Sequence, residues 1–497
     1  MKEEKYAVYF DEDGSCVQVP ENTTLLEAQI LAGKMPQAYC GGKGTCGKCK
    51  VEANGKVVLA CQTPVTADTH VRTAGPEKKT QILMTEREQN AVFQAEERFL
   101  SMPQPVLAAV DIGTTTVVVY LMDAKTGKLL CMQSCLNPQG KYGADVVSRC
   151  SYAMEHGADT LSSVIRNAVN DLLGQALKQS GRGRGDLMRI VFVGNTGMHH
   201  LFLELPVKQL VLAPYHPYQK EACVLSASEC QIEANAEAEV WWLPNIGGFV
   251  GADTVGCILA SNLPSCEEMT LMVDIGTNGE MVLGDKNGMI ACSTAAGPAF
   301  EGAKITCGMR GSEGAIDKVW PDNGKIRYHV LGEGDAAGIC GSGLLDAAAA
   351  FLETEIIDET GRLEETYYFQ ENVFLNQKDI RELQLAKAAI AAGIRILCMR
   401  KGIEVSDIRR VLLAGAFGNY LDPDSACAIG LLPEELRERI EQVGNAAGEG
   451  AQMAALDPSA FETAKKYAAE TEFLELALDP AFQDIYIDEL EFGPQED

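Results

Sequence analysis

Val110-Asp-Ile-Gly-Thr114 recurs unchanged as Val273-Asp-Ile-Gly-Thr277. Each copy closes one apolar run and opens another, Val117-VVY-Leu121 after the first and Glu280-MVL-Gly284 after the second. Each therefore predicts a strand, a tight glycine turn and a returning strand. A second pair repeats in the same order. Asp186-LMRIVFVGNTG-Met198 matches Asp407-IRRVLLAGAFG-Asn419 in pattern: an acid, an aliphatic residue, any residue, an arginine, a mostly apolar run, then Gly-x-x-Gly. Both read as a buried strand running into a glycine loop and the start of a helix. Two copies of two elements in one order mean two similar α/β halves.

The turns offer phosphate chemistry. Gly113 with Thr114, Thr115 and Thr116, and Gly276 with Thr277, Asn278 and Gly279, present backbone N–H and hydroxyl donors. Asp111 and Asp274 end the strands, where they could hold Mg2+ through water. Opposed turns from two halves would grip a nucleotide between them, with the Gly415, Ala416, Phe417, Gly418 and Asn419 loop under the adenosine. Water activation needs a carboxylate near the γ-phosphate, so Asp111, Asp145, Asp253 and Asp274 are the catalytic candidates. Gly341-Ser342-Gly343 precedes a helix and could meet a phosphate, although a lone Gly-x-Gly is a weak signal. Cys340 beside it reads as a small packed residue. Gly251-ADTVGCILA and Asp424-SACAIGLL are helix-like and rich in small residues, which suits either a hinge or ordinary tight packing.

Upstream, Cys40-GGKGT-Cys46-GK-Cys49 is followed by Asn54-Gly55 between two apolar-rich runs, then Cys61. Asn-Gly there is a hairpin signal that carries Cys61 back beside the cysteine loop. Four thiolates converging on a glycine-rich loop can hold a two-iron cluster, because glycine lets backbone N–H groups approach the sulfides. Tetrahedral zinc also accepts Cys-x2-Cys but usually takes a second such pair, and the chain has only one. Asp13-Gly14 predicts a turn between two short strands, and Thr24-x-x-Glu27 a helix capping box ending near Gly33.

The chain has 497 residues, 46% hydrophobic and 23% charged, the balance of folded protein. A net charge of −28 argues against nucleic-acid binding. No run approaches the ~18 apolar residues of a membrane span, and the charged N-terminal stretch lacks a signal peptide's apolar core. With 17 cysteines and no export signal, a cytoplasmic protein with reduced thiols or metal ligands is expected. The expected divisions are a [2Fe-2S] ferredoxin-like domain (1–75), a linker with an amphipathic helix (76–105), a first half (106–262) and a second half (263–497) ending in an acidic tail.

The doubled Asp-x-Gly-Thr strands, the Ala-Gly-x-Phe-Gly loop and the small-residue helices resemble the superfamily of acetate and sugar kinases, Hsp70 and actin. A ferredoxin followed by such an ATPase resembles the reductive activators of corrinoid proteins. Asn137-PQGKYGADVVSR, Gly194-NTGMHHLF, Pro244-NIGGFVGAD and Ala295-AGPAFEGAKITCGM add to the likeness, which covers most of residues 1–432. The resemblance implies an α+β and α/β multidomain protein: a β-grasp ferredoxin-like domain before a duplicated actin-like (ribonuclease H-like) ATPase. It implies a [2Fe-2S] cluster on Cys40, Cys46, Cys49 and Cys61, with ATP and Mg2+ between the halves. The implied activity is ATP-dependent reduction of Co(II) corrinoid to Co(I) on a partner of a methyltransferase or demethylase system, served by an upstream electron donor. A homodimer is left open, because some members carry a further domain where this chain has only the short linker. A plant-type cluster lies near −400 mV, and a shortfall on the order of 100 mV against cobalt is roughly 2 kcal/mol, within reach of nucleotide-driven binding. Two rival readings are an activator of another low-potential enzyme, such as a 2-hydroxyacyl-CoA dehydratase, and a small-molecule kinase with a redox-sensing ferredoxin. Iron stoichiometry separates the first, and phosphorylation of a small molecule the second.

Overall fold

A computed structural model describes residues 5–32, 34, 44, 49–73, 93–213, 215–418 and 420–493. At the N-terminus, strands β1 (Lys5–Phe10), β2 (Cys16–Pro20), β3 (Lys50–Ala53), β4 (Lys56–Leu59) and β5 (Thr69–Thr73) form one sheet in the order β2-β1-β5-β3-β4. β1 and β5 run parallel, and the hairpins β1–β2 and β3–β4 are antiparallel. Both turns form where their dipeptides predict them. Asn54 and Gly55 adopt φ of 49° and 80°, the left-handed pair that a two-residue hairpin requires. Helix α1 (Leu25–Leu31) starts at the predicted capping box, with the Glu27 N–H on Thr24 Oγ1 at 3.2 Å and the Thr24 N–H on Glu27 Oε2 at 2.7 Å. Val8, Phe10, Leu25 and Val71 close a core between helix and sheet, a β-grasp arrangement. Gly33 lies outside the described residues.

The two halves form six-stranded sheets that match in five strands and carry the sixth at opposite edges. The first comprises β6 (Val106–Ile112), β7 (Thr116–Asp123), β8 (Leu129–Leu136), β9 (Leu187–Gly194), β10 (Cys223–Ser226) and β11 (Glu239–Trp242), ordered β10-β11-β9-β6-β7-β8. The second comprises β12 (Thr270–Ile275), β13 (Gly279–Asp285), β14 (Gly288–Thr294), β15 (Arg410–Ala414), β16 (Ile440–Gly444) and β17 (Thr471–Leu474), ordered β16-β15-β12-β13-β14-β17. In each half an antiparallel three-strand meander continues into two parallel strands. The repeated motifs are hydrogen-bonded neighbours in matching register. Asp111 lies opposite Val193, one residue before Gly194, and Asp274 opposite Ala414, one residue before Gly415.

Strand alternation sorts side chains into layers. Val106, Ala108 and Val110 face an outer core under helices α2 (Val146–His156) and α3 (Asp159–Gln179), while Leu107 and Ala109 face a middle core. Likewise Leu271, Val273 and Met281 face the outer core beneath α6 (Gly341–Glu353) and α7 (Gln377–Lys401), while Met272 and Val282 face the middle. That middle layer belongs to both halves and is filled by α5 (Ala252–Ser261), α8 (Ala446–Leu456) and α9 (Pro458–Glu470), with α4 (Thr196–Phe202) at the end of β9. Parity therefore sends Asp111, Asp274 and Glu280 from their sheets toward the same middle layer.

Both small-residue stretches take the tight packing that is one of their two readings, and the C-terminal stretch is packed rather than a free tail. The Gly251 stretch forms α5 and crosses α8 closely: a Cβ on Gly450 would stand 2.1 Å from the Gly256 carbonyl oxygen. The Asp424 stretch forms a short helix, Pro423–Ala428, packed on α6, so each small-residue segment has its own partner. The expected acidic tail is folded. Thr471–Leu474 pairs with β14, Leu476 and Phe492 are buried, and Glu489 meets Lys387 and Arg395 while Asp479 meets Arg400, so cations of α7 neutralise these two acids. Of the linker, residues 76–92 lie outside the described residues; Glu97–Leu100 is a single helical turn with Phe99 buried. Among the described residues no helix is long and apolar enough to cross a membrane.

Candidate nucleotide site and cluster loop

The first turn is braced from behind. Asn137 Nδ2 donates to the Gly113 carbonyl at 2.8 Å and the Asn137 N–H to the Thr115 carbonyl at 2.8 Å. Arg149 is 2% exposed and donates to the Thr114 carbonyl at 2.6 Å and the Gly143 carbonyl at 2.9 Å, and burial pulls its guanidinium down to about 10. Asn195, which caps α4, donates to Thr114 Oγ1 at 3.0 Å. The Gly113 and Gly276 N–H groups, expected as phosphate donors, are engaged within their own turns, on the Thr116 and Asn278 carbonyls at 2.9 Å each. The N–H groups of Thr114, Thr115, Thr277 and Asn278 make no backbone hydrogen bond among the described residues and are the donors left for a ligand. The hydroxyls of Thr115 and Thr277, one from each half, both donate to Glu301.

Asp111, Asp253 and Asp274 come together as candidates. Burial pushes Asp111 and Asp274 up to about 6, and burial with the neighbouring Asp274 pushes Asp253 up to about 7. Asn445, just before α8, donates to Asp111 Oδ2 at 2.9 Å and to the Tyr120 hydroxyl at 3.2 Å. Glu280 joins them, raised by burial and by Asp253 and Asp274, and is held by Ser293 at 3.2 Å. Such acids suit a hard divalent cation, whose charge would favour their ionised forms. Asp145 does not join this group: its carboxylate caps α2, accepting from the Ser148 N–H at 2.7 Å.

Gly415 (φ 86°) packs so tightly that a Cβ would stand 2.2 Å from Asp274 Oδ1, which ties the glycine loop to the second turn. Phe417 stacks on Phe300 at 5.2 Å, and Gly341 seats against both the Phe300 carbonyl and the Phe417 ring. The Gly341 and Gly415 loops are therefore one locus. The Ser342 hydroxyl is turned away, donating to the Asp317 carbonyl at 3.0 Å, and a Cβ on Gly343 would meet the Ile316 carbonyl at 2.3 Å. Cys340 is buried with its thiol pushed up by burial. Asn419 and the Ala416 side chain lie outside the described residues.

The β3–β4 hairpin returns Cys61 to Cys49, their sulfurs 3.2 Å apart and both buried. Gln62 Nε2 lies 3.7 Å from Cys61 Sγ, and a Cβ on Gly44 would touch the Gln62 side chain. Two converging thiols with an N–H donor nearby fit cluster ligation. Cys40 and Cys46 lie outside the described residues.

Residues 8–66 match the 2Fe-2S iron-sulfur cluster binding domain, 107–265 the RACo middle region, and 268–497 the C-terminal domain of RACo, the ASKHA domain. The corrinoid activation enzyme RamQ of Eubacterium limosum is 34% identical over 580 residues, covering 96% of this chain and 97% of that protein. The chain belongs to the RACo family of corrinoid-protein activators. A Methanosarcina barkeri reductase of the Co(II) methylated amine-specific corrinoid protein is 27% identical across 78% of this chain and 77% of its own. The solved reductive activator for a corrinoid, iron-sulfur protein is 30% identical, covers 99% of both chains and superposes with a TM-score of 0.72. In this RACo-family chain three site residues escape motif reading. Glu280 looks like an ordinary strand residue, Glu301 hides among the glycines of Ala295-AGPAFEGA, and Asn445 stands far from any turn. Only the parity argument for β13 signals Glu280 in advance.

Proposed function

We propose that this chain uses ATP to drive one-electron reduction of a Co(II) corrinoid held by a methyl-transfer partner, returning it to Co(I). The observation that carries the reading is the union, in one chain of this family, of a paired-thiol ferredoxin-like domain with two opposed threonine turns over a carboxylate cluster. When bound, a [2Fe-2S] cluster on Cys40, Cys46, Cys49 and Cys61 supplies a one-electron carrier. The N–H groups of Thr114, Thr115, Thr277 and Asn278 take the phosphates, and the Phe417 loop lines the nucleoside side. Asp111 and Asp274, reaching in from opposite sheets, would hold Mg2+. Asp253 stands at the start of α5 as the base for the attacking water; its raised affinity for a proton suits it to that task.

Coupling follows from the shared middle layer. A ligand gripping both turns favours one arrangement of the halves, and a partner that binds this arrangement better is bound harder while ATP is present. The division into domains at 75, 105 and 262, a cytoplasmic setting and a separate electron donor belong to the same proposal.

The test is anaerobic optical spectroscopy of a Co(II) corrinoid protein mixed with this protein and a reductant, with and without ATP. Conversion to Co(I) only with ATP supports the reading. No conversion with several corrinoid proteins, despite a reducible cluster and ATP turnover, overturns it.

A further inference from the structure

Glu301 lies between the two threonine turns. Its Oε2 accepts the Thr115 hydroxyl proton at 2.5 Å, and its Oε1 accepts that of Thr277. Thr115 belongs to the first half and Thr277 to the second, so one carboxylate spans the halves where their turns face each other. A threonine hydroxyl carries a single proton, while carboxylate and phosphate oxygens only accept. Glu301 and a nucleotide phosphate therefore compete for the same two protons, and their like charges oppose sharing the seat. We infer that Glu301 is an autoinhibitory latch: its carboxylate fills the phosphate seat and ties the turns together until the polyphosphate of a nucleoside triphosphate displaces it. The inference rests on the proposed nucleotide site.

The latch is connected to the nucleoside side. Glu301 sits in a tight turn, its N–H on the Pro298 carbonyl at 3.1 Å and the Gly302 N–H on the Ala299 carbonyl at 2.9 Å. Gly297 (φ 78°) and Gly302 (φ 74°) bracket that turn, so both ends use a backbone conformation that glycine adopts without strain. The preceding Phe300 stacks on Phe417, and its carbonyl abuts Gly341 so closely that a Cβ there would stand 1.8 Å away. Movement of Glu301 thus reaches the glycine loop and the start of α6 through its immediate neighbour.

Calorimetric titration of the full chain with ATP and with adenosine, for wild type, E301Q and E301A, tests this. E301A is expected to bind ATP about tenfold more tightly, ~1.4 kcal/mol, with adenosine affinity unchanged and E301Q between. Equal ATP affinity in wild type and E301A overturns the latch and leaves the nucleotide site standing. Weaker ATP binding by E301A makes Glu301 a nucleotide or cation ligand and also overturns it. A gain shared equally by adenosine means general loosening and counts against it too. A wild type that binds no ATP removes the site itself, and the latch with it. Should E301A not fold, E301Q is read by the same criteria.

Discussion

Asp111, Asp253 and Asp274 are held neutral more readily than free carboxylates, and the sign of that shift fixes a pH dependence. An acid whose folded pKa is raised contributes stability that is complete below its unfolded value and is lost as pH rises through the folded one. With values of about 6, 7 and 6 respectively, the window runs from about pH 4 to 7. We expect D253N to be more stable than wild type at pH 7.5 by roughly 2–4 kcal/mol, at 1.36 kcal/mol per unit, and the difference to vanish near pH 4. Added Mg2+ should narrow it at high pH by favouring the ionised wild-type site. Urea unfolding across pH, with and without Mg2+, measures both. Gly415 gives a second outcome: G415A forces a left-handed alanine against the Asp274 carboxylate. It should cost about 1–3 kcal/mol and weaken ATP binding at least tenfold by calorimetry. The three aspartates were legible because each ends or starts an element at a glycine. Glu301 was not, since a bridging role depends on where two turns distant in sequence meet.

Among elements, the crossing of α5 and α8 is set by Gly256 and Gly450, whose backbones touch with no room for a methyl group. Overpacking there should lower the stability of G450A by about 1–3 kcal/mol in urea unfolding, whereas alanine at Gly402, with open space around it but φ of 68°, should cost no more than about 1–2 kcal/mol. The strands and their order were readable from the doubled motifs because buried strands write themselves as apolar runs. The partner of α5 was not. Small residues announce that some backbone approaches closely, but nothing in Gly251-ADTVGCILA specifies that Ala446-AGEGAQMAAL arrives from almost two hundred residues downstream. The C-terminal stretch hid its packing for a related reason: its sequence shows acidity, but not that Glu489 and Asp479 meet the basic residues of α7.

For the whole molecule, among the described residues, the N-terminal core draws on residues between Tyr6 and Val71, while the other three cores draw on Phe93 and later residues. A chain beginning at Phe93 should therefore fold and hydrolyse ATP while losing all Co(II) reduction in the optical assay. Added back as a separate protein, the ferredoxin-like domain should restore little activity at micromolar concentration. A covalent tether of this length raises effective concentration to the millimolar range.

The middle layer has a different consequence, one for biosynthesis. β6 and β9 present Leu107, Ala109, Val191 and Val193 to a core that α8 completes. At ordinary rates of synthesis, α8 leaves the ribosome roughly half a minute after β6 does. Once α5 is made it covers only part of the inner face of the first half's sheet, and until α8 follows, the remaining apolar surface invites chaperones and aggregation alike. The same shared layer through which we propose that one nucleotide acts on both halves makes the nascent chain wait for α8 and α9 before either half is whole.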